Sequence, residues 1–203
     1  MVMVCCLAWE PNMEALFVST GVVALAEIGD KTQLLAFILA ARFKKPVPIV
    51  AGILVATLVN HGLAGALGAW ITSVVSPDIL RWVLGGSFLA MAIWTLIPDQ
   101  IEDEETQVAK HLGVFGATLV TFFLAEMGDK TQIATIALAA HYGAPWLVIA
   151  GTTLGMLIAD VPAVFVGNQF ASRIPMKLVH SIAAGIFAVM GLLTTLQADK
   201  LFQ

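Results

Sequence analysis

Residues 27 to 33 read EIGDKTQ, and residues 126 to 132 read EMGDKTQ. Each copy lies inside a long run of Leu, Ile, Val, Ala and Phe. A charged side chain at the centre of a membrane-spanning helix costs about 2.5 to 3.5 kcal/mol. The two acids and one lysine of each copy therefore need partners within the protein, an ion or water.

The composition is that of an integral membrane protein. Of 203 residues, 59% are hydrophobic and 12% are charged, and the mean hydropathy is +0.92. An ordinary soluble domain is only about 45 to 50% apolar and about 25% charged. The chain carries no basic patch suited to nucleic acid, and its short connections leave no room for a soluble domain.

The apolar segments have the length of transmembrane helices, since about 20 residues cross a hydrocarbon core of about 30 Å. Backbone polar groups facing lipid must be satisfied within the segment, and the alternating pattern of a barrel strand is absent. We therefore predict an all-α protein with six spans: residues 14–41, 47–71, 79–98, 113–140, 145–170 and 177–197.

The chain also contains an internal repeat. A shift of 99 residues superposes the two motifs and matches Pro46 with Pro145 and Gly68 with Gly167, without a gap. Such self-similarity indicates a duplicated three-helix unit. The predicted divisions are an extension (1–12), a first repeat (13–98), an acidic linker (99–112) and a second repeat (113–203).

Three is an odd number of spans, so the second unit must enter the membrane in the opposite sense to the first. Inverted repeats are typical of secondary transporters, whose substrates bind near the midplane between the repeats. A duplicated channel or scaffold would have the same topology, so topology alone does not decide the function.

The orientation is predicted from lysines and arginines in the short loops. Six lie on one side of the predicted topology, against Arg81 and Lys200 on the other. The six are Arg42, Lys44, Lys45, Lys110, Arg173 and Lys177. This asymmetry predicts both termini outside the cytoplasm and the acidic linker inside it.

The charges of the motifs predict a cation site. On a continuous helix, Glu27, Asp30 and Lys31 share one face, as do their counterparts Glu126, Asp129 and Lys130. Symmetric packing of the repeats would bring the four carboxylates together. Four carboxylates and two ammonium groups leave two negative charges, which a divalent cation would cancel. The alternative is structural, with each lysine neutralising an acid of its own helix.

The motif offers oxygen ligands and no His or Cys, which suits Mn²⁺, Ca²⁺ or Mg²⁺ better than Zn²⁺ or Cu⁺. Candidate additional ligands or supporting groups are Gln33, Gln132, Thr32 and Thr131. A glycine costs about 1 kcal/mol relative to alanine inside a helix. The glycine in each motif therefore suggests a local helix break or a close helix approach.

Protons are the expected counter-substrate. When no cation is bound, burial and mutual repulsion favour protonated carboxyl groups, and a metal ion expels those protons when it binds. This competition, combined with alternating access, is enough for a cation/proton antiporter. Asp160 is a candidate proton relay because it is an acid at membrane depth. The 99-residue shift pairs it with His61, and Asn60 lies beside that histidine. Both are further candidates for the relay, and hydrogen bonding between helices is the favoured alternative for them.

Two copies of Glu-x-Gly-Asp-(Lys/Arg)-(Thr/Ser), in the first and fourth of six predicted helices, resemble the signature of a family of divalent cation/proton exchangers. That family includes bacterial manganese exporters and Golgi manganese/calcium transporters. The resemblance covers the chain from Met13 onward. It implies that Glu27, Asp30, Glu126 and Asp129 bind the ion, and that Lys31 and Lys130 belong to the same signature as charge partners.

The resemblance implies a transporter rather than an enzyme, with Mn²⁺, or Ca²⁺ in some relatives, as the transported ion and no cofactor. It favours export from the cytoplasm across a bacterial inner membrane. A non-transporting scaffold and a transporter of small organic solutes are the alternatives. The partners are the divalent ion, protons and the lipid bilayer, and the oligomeric state, a homo-oligomer included, is left open.

Overall fold

A computed structural model describes residues 11–97, 112–166 and 176–196 of the chain. Helices are the only regular elements in these three segments. They are α1 (Pro11–Glu27), α2 (Lys31–Phe43), α3 (Pro46–Val74), α4 (Pro77–Trp94), α5 (Val114–Glu126), α6 (Lys130–Tyr142), α7 (Pro145–Val166) and α8 (Met176–Leu196). Most of the predicted extension and of the acidic linker, and the positions of Lys110, Arg173 and Lys200, lie outside the described residues.

Three helices in the described segments are long and apolar enough to cross a membrane: Pro46–Val74, Pro145–Phe165 and Lys177–Leu196. The predicted first and fourth spans are instead each made of two shorter helices, α1 with α2 and α5 with α6. Thirteen residues make about 20 Å of helix, so neither α5 nor α6 alone covers a hydrocarbon core of about 30 Å.

Both interruptions occur at the motif glycines. Gly29 has φ 88° and Gly128 has φ 79°, a left-handed conformation that glycine adopts without steric cost. Asp30 then caps α2, with its side chain accepting a hydrogen bond from the backbone N–H of Lys31, and Asp129 occupies the matching position before α6. Of the two alternatives suggested by the motif glycines, a local break or a close helix approach, the structure shows a break at both positions.

The helices of the two halves pack mainly against each other. Helix α1 packs against α7, and its counterpart α5 packs against α3; α2 contacts α5, and α6 contacts α1. Close approach depends on glycine. A Cβ atom at Gly151 would lie 2.5 Å from the carbonyl oxygen of Leu16, and one at Gly52 would lie 3.0 Å from that of Phe115. These two crossings correspond under the 99-residue shift.

Helices α4 and α8 pack against each other, and the position of this pair does not follow the correspondence between the two halves. They cross where a Cβ at Gly191 would lie 3.0 Å from the carbonyl oxygen of Gly85. The pair packs against α1 and α6, and with them forms most of one apolar core, which includes Phe88 and Phe187. A second core contains residues of α2, α3, α5 and α7, and no described residue of α4 or α8 contributes to it.

Candidate cation site

The two helix breaks meet in the interior, and acids from both halves come together there. One carboxylate oxygen from each of Glu27, Asp30 and Asp129 lies within 4.8 Å of the others. All three residues are at least 96% buried. Oxygen ligands at this separation can share one cation of the Mn²⁺ or Ca²⁺ type. The predicted convergence of the two motifs is thus present for three of the four acids.

The fourth acid, Glu126, is fully buried next to this group without belonging to it. Its charge interacts with those of Glu27, Asp30 and Asp129. One of its carboxylate oxygens, Oε1, has no hydrogen-bond partner among the described residues, and the same holds for Oε1 of Glu27. A buried carboxylate oxygen without a partner is costly, so both oxygens are suited to a ligand that the protein does not itself provide.

The threonine of each motif orients the glutamate of the same motif. Thr32 donates a hydrogen bond to Oε2 of Glu27 at 2.5 Å, and Thr131 donates to Oε2 of Glu126 at 2.8 Å. Each bond spans the break, because the glutamate ends one helix and the threonine lies in the first turn of the next. The hydroxyl thereby fixes the glutamate rotamer and leaves the other oxygen, Oε1, for the site.

The glutamine of each motif holds the turn together. The side-chain oxygen of Gln33 accepts the backbone N–H of Gly29 at 3.0 Å, and that of Gln132 accepts the N–H of Gly128 at 2.8 Å. Gln33 also donates to the carbonyl of Ala159 on α7 at 2.8 Å. These contacts give the glutamines a supporting role at the breaks in this conformation.

The described ion pairs run between the two halves. Lys130 Nζ lies 2.9 Å from Oδ2 of Asp30, and Lys31 Nζ lies 3.8 Å from Oδ1 of Asp129. The expectation that Glu27, Asp30 and Lys31 share one helix face is wrong, because the left-handed glycine ends α1 before Asp30. The interruption turns each lysine away from the glutamate of its own motif. Each lysine pairs instead with the aspartate of the opposite motif.

The two ion pairs differ in their exposure. The side chains of Lys130 and Asp30 are 1% and 0% exposed, whereas that of Lys31 is 18% exposed. Met127 and Gly128 of the second break are exposed as well. The site is therefore less enclosed around Lys31 than around Lys130, while the glycine of each break, Gly29 and Gly128, is exposed.

The candidate relay residues occupy different surroundings. Asp160 is fully buried, neither of its carboxylate oxygens has a described partner, and its charge interacts with those of Glu27 and Asp30. Asn60 donates to the carbonyl of Phe123 on α5 at 3.1 Å, which is the inter-helix bond typical of such residues. His61 is fully buried, and neither ring nitrogen has a described hydrogen-bond partner.

One polar contact at the breaks was not predicted from the sequence. Nε2 of His180, on α8, lies 2.9 Å from the carbonyl oxygen of Ile28, which directly follows Glu27. The signal available in the sequence was a histidine near the start of the last apolar span. Its partner could not be identified, because the accepting carbonyl is freed only by the helix break.

A cavity of about 690 Å³ lies elsewhere, between α1, α6 and α8. Its lining is mostly apolar, with Glu14, His141 and Tyr142 at one end. No residue of either motif lines it, so this cavity is separate from the cation site.

Comparison with known proteins agrees with this chemistry. A family profile described as "Divalent cation/proton antiporter GDT1" matches the chain twice, at residues 15–103 and 114–201. The double match corresponds to the two halves of the repeat. No solved structure matches the chain.

Curated relatives come from bacteria and plants. A Vibrio cholerae protein named "Putative manganese exporter" is 52% identical over 91% of this chain and 92% of its own length. A GDT1-like protein of Synechocystis is 32% identical over 81% of this chain and 88% of its own length. The GDT1-like protein 3 of Oryza sativa subsp. indica is 29% identical over 86% of this chain and 71% of its own length. The chain belongs to the GDT1 family of divalent cation/proton antiporters.

Proposed function

We propose that this protein exports Mn²⁺ from the cytoplasm in exchange for protons. The observation that carries the proposal is the group formed by Glu27, Asp30 and Asp129, because it combines acids of both motifs in one buried pocket. A site built from both halves is the arrangement that alternating access requires, since a movement between the halves then changes the exposure of a single bound ion.

The charge balance favours a divalent ion. Glu27, Asp30, Glu126 and Asp129 carry four negative charges when ionised, and Lys31 and Lys130 carry two positive charges. The ion pairs between the halves compensate the two aspartates, while Oε1 of each glutamate has no described partner. Oxygen ligands suit Mn²⁺ and Ca²⁺ alike. The name of the Vibrio cholerae relative supports manganese over calcium.

Each motif residue then has a distinct role. The acids bind the ion, Thr32 and Thr131 orient the glutamates, and Gln33 and Gln132 secure the breaks that place the acids. Protons compete with the ion for the same carboxylates, because a bound metal requires them ionised. An inward proton gradient would thereby drive the ion outwards.

Asp160 is proposed as a proton-carrying group beside the ion site. Its support is complete burial, two carboxylate oxygens without a described partner, and electrostatic interaction with Glu27 and Asp30. A carboxyl group in this position can carry a proton close to the proposed ion-binding acids. His61, at the matching position of the other half, is the second candidate relay, with Asn60 as its polar neighbour.

We further propose that the chain crosses a bacterial inner membrane six times as two inverted three-helix units. The supports are the 99-residue repeat, the corresponding helix breaks and the exchange of packing partners between the halves. The lysine and arginine asymmetry supports an orientation with both termini outside the cytoplasm. In this orientation α2 and α5 lie in the cytoplasmic half of the membrane.

Purified protein in liposomes tests the function. With an imposed pH gradient, addition of Mn²⁺ should produce metal movement coupled to opposite proton movement, both measured with entrapped dyes. Parallel assays with Ca²⁺ and Mg²⁺ decide the selectivity, and faster Ca²⁺ movement would replace manganese by calcium in the proposal. Metal movement that leaves the lumenal pH unchanged, or no metal movement at all, would refute the antiport.

A further inference from the structure

The contact between His180 and the first helix break involves a carbonyl that the helix cannot satisfy. Ile28 lies between Glu27 and Gly29, where the carbonyl groups at the end of α1 lose their helical partners. Because a carbonyl only accepts, Nε2 of His180 must carry the proton in this 2.9 Å hydrogen bond. The imidazole therefore connects α8 to the residue next to a metal-binding glutamate.

Within residues 11–97, 112–166 and 176–196, no equivalent contact is made at the second break. Under the 99-residue shift, Arg81 on α4 corresponds to His180, and Met127 corresponds to Ile28. The guanidinium of Arg81 lies over the ring of Trp82 at 5.1 Å, and its buried Nε has no described hydrogen-bond partner. Met127 is 53% exposed. The carbonyl of Ile28 at the first break is thus bonded by a residue of the α4–α8 pair, whereas Nε of Arg81 makes no matching bond among the described residues.

The packing of α4 and α8 explains this difference. The two helices cross closely at Gly85 and Gly191 and together pack on α1 and α6. The symmetry-related arrangement would place the same pair on α5 and α2. In that arrangement Arg81 would approach the carbonyl of Met127, and His180 would withdraw from Ile28.

We propose that His180 is a positioning residue of the cation site, which holds the Ile28 carbonyl while the α4–α8 pair covers α1 and α6, and that Arg81 takes the same role at Met127 in the opposite state. This inference rests on the proposed function, since it requires two states of one site. His180 acts through the backbone that carries Glu27 and makes no contact with the ion itself.

The test compares His180→Phe, which loses the donor, with His180→Gln, whose side-chain amide can donate from a similar position. In proteoliposomes, His180→Phe should raise the KM for Mn²⁺ about tenfold on the side facing α2 and α5, which is the size expected for a lost buried hydrogen bond. The KM on the opposite side should stay within about twofold of wild type. His180→Gln should return the KM most of the way to the wild-type value. Arg81→Met, which has no hydrogen-bond donor, should raise the KM on the side opposite to the one affected by His180→Phe.

A second measurement does not depend on transport. Backbone amide exchange of residues 28–30, followed by mass spectrometry on the full-length protein, should be faster in His180→Phe than in wild type and normal in His180→Gln. Exchange of residues 127–129 should be unchanged. Equal exchange at residues 28–30 in all three proteins, or equal KM changes on both sides of the membrane, would overturn the proposal. If wild type moves no divalent ion, the proposed function fails while the exchange data still judge the contact.

Discussion

Lys130 of the second motif lies 2.9 Å from Asp30 of the first, with both side chains almost completely buried. The pair joins the two halves of the molecule at the point where both membrane segments are interrupted. A lysine that pairs with the opposite motif leaves the glutamate of its own motif to other ligands. The same ion pair therefore contributes to the packing between the two halves and to the net charge of the candidate cation site.

Removal of Lys130 should therefore be much more costly than removal of Lys31. Lys130→Met leaves the buried Asp30 carboxylate without its cation, an effect of about 3 to 5 kcal/mol for a buried pair. Lys31→Met should cost less than Lys130→Met although Asp129 is also buried, because the Lys31–Asp129 pair is longer, at 3.8 Å, and 18% of the Lys31 side chain is exposed. Thermal unfolding in detergent measures both variants, and equal losses of stability would contradict the asymmetry.

The threonine hydroxyls should control metal affinity. Thr32→Val keeps the shape of the side chain and removes the hydrogen bond that orients Glu27, so the KM for Mn²⁺ should rise about tenfold, and the unpaired carboxylate oxygen should cost about 1 to 3 kcal/mol of stability. Thr131→Val should act in the same way on Glu126. The matched control is Thr121→Val, whose buried hydroxyl bonds only to the carbonyls of its own helix. If Thr121→Val raised the KM for Mn²⁺ as much as Thr32→Val does, the motif threonines would have no specific role in orienting the glutamates.

The break at Gly128 should depend on backbone conformation alone. A Cβ atom added there meets nothing within 4 Å, but the φ of 79° is unfavourable for an L-residue. Gly128→Ala should cost about 1 to 2 kcal/mol and slow transport. Gly62 is also open to a Cβ and is helical, so Gly62→Ala is the control and should be neutral or stabilising by up to about 1 kcal/mol. Equal thermal stabilities of the two variants would refute the strain argument.

Proton competition predicts the direction of the pH dependence. Bound metal requires ionised carboxylates, so the apparent affinity for Mn²⁺ should fall as the pH is lowered. Glu27→Gln removes one competing carboxylate, and any residual binding by this variant should depend less steeply on pH. Isothermal titration calorimetry between about pH 6 and 8 measures how the affinity for Mn²⁺ changes with pH in the wild type and in Glu27→Gln. An affinity that is independent of pH in wild type would contradict the competition.

The position of the α4–α8 pair can be followed by cross-linking. The rings of Phe88 and His141 lie 5.9 Å apart, so cysteines at these positions, in a background with Cys5 and Cys6 replaced by serine, should be joined by a short cross-linker. The symmetry-related positions are Phe187 and Arg42. That pair should be joined only when the opposite state is populated, for example during turnover. Cross-linking of both pairs to the same extent in every condition would argue against movement of α4 and α8.

Much of this architecture could be predicted from the sequence, and the exceptions have physical causes. Apolar segments, the 99-residue repeat and the duplicated acids are local patterns, so they predicted a helical membrane protein with a shared acidic site. The breaks at Gly29 and Gly128 could only be suggested, because glycine at membrane depth also serves close helix packing.

The contacts across the two halves could not be predicted. Pairing of Lys130 with Asp30 depends on how far each left-handed glycine turns the following helix, and periodicity along an unbroken helix gave the wrong partners. The same breaks free the Ile28 carbonyl for His180, which lies 152 residues away in the chain. The packing of the α4–α8 pair on α1 and α6 rather than on α2 and α5 could not be predicted either, because a repeat in sequence does not distinguish these two arrangements.

The central claim is that acids of both halves bind one divalent ion. Calorimetric titration of Mn²⁺ into the purified wild-type protein, Glu27→Gln and Asp129→Asn measures it most directly, with folding verified by thermal unfolding. We predict one ion per wild-type chain, and loss of that binding in either folded variant. Two ions per wild-type chain, with one retained in each variant, would show separate sites in the two halves and would contradict the account.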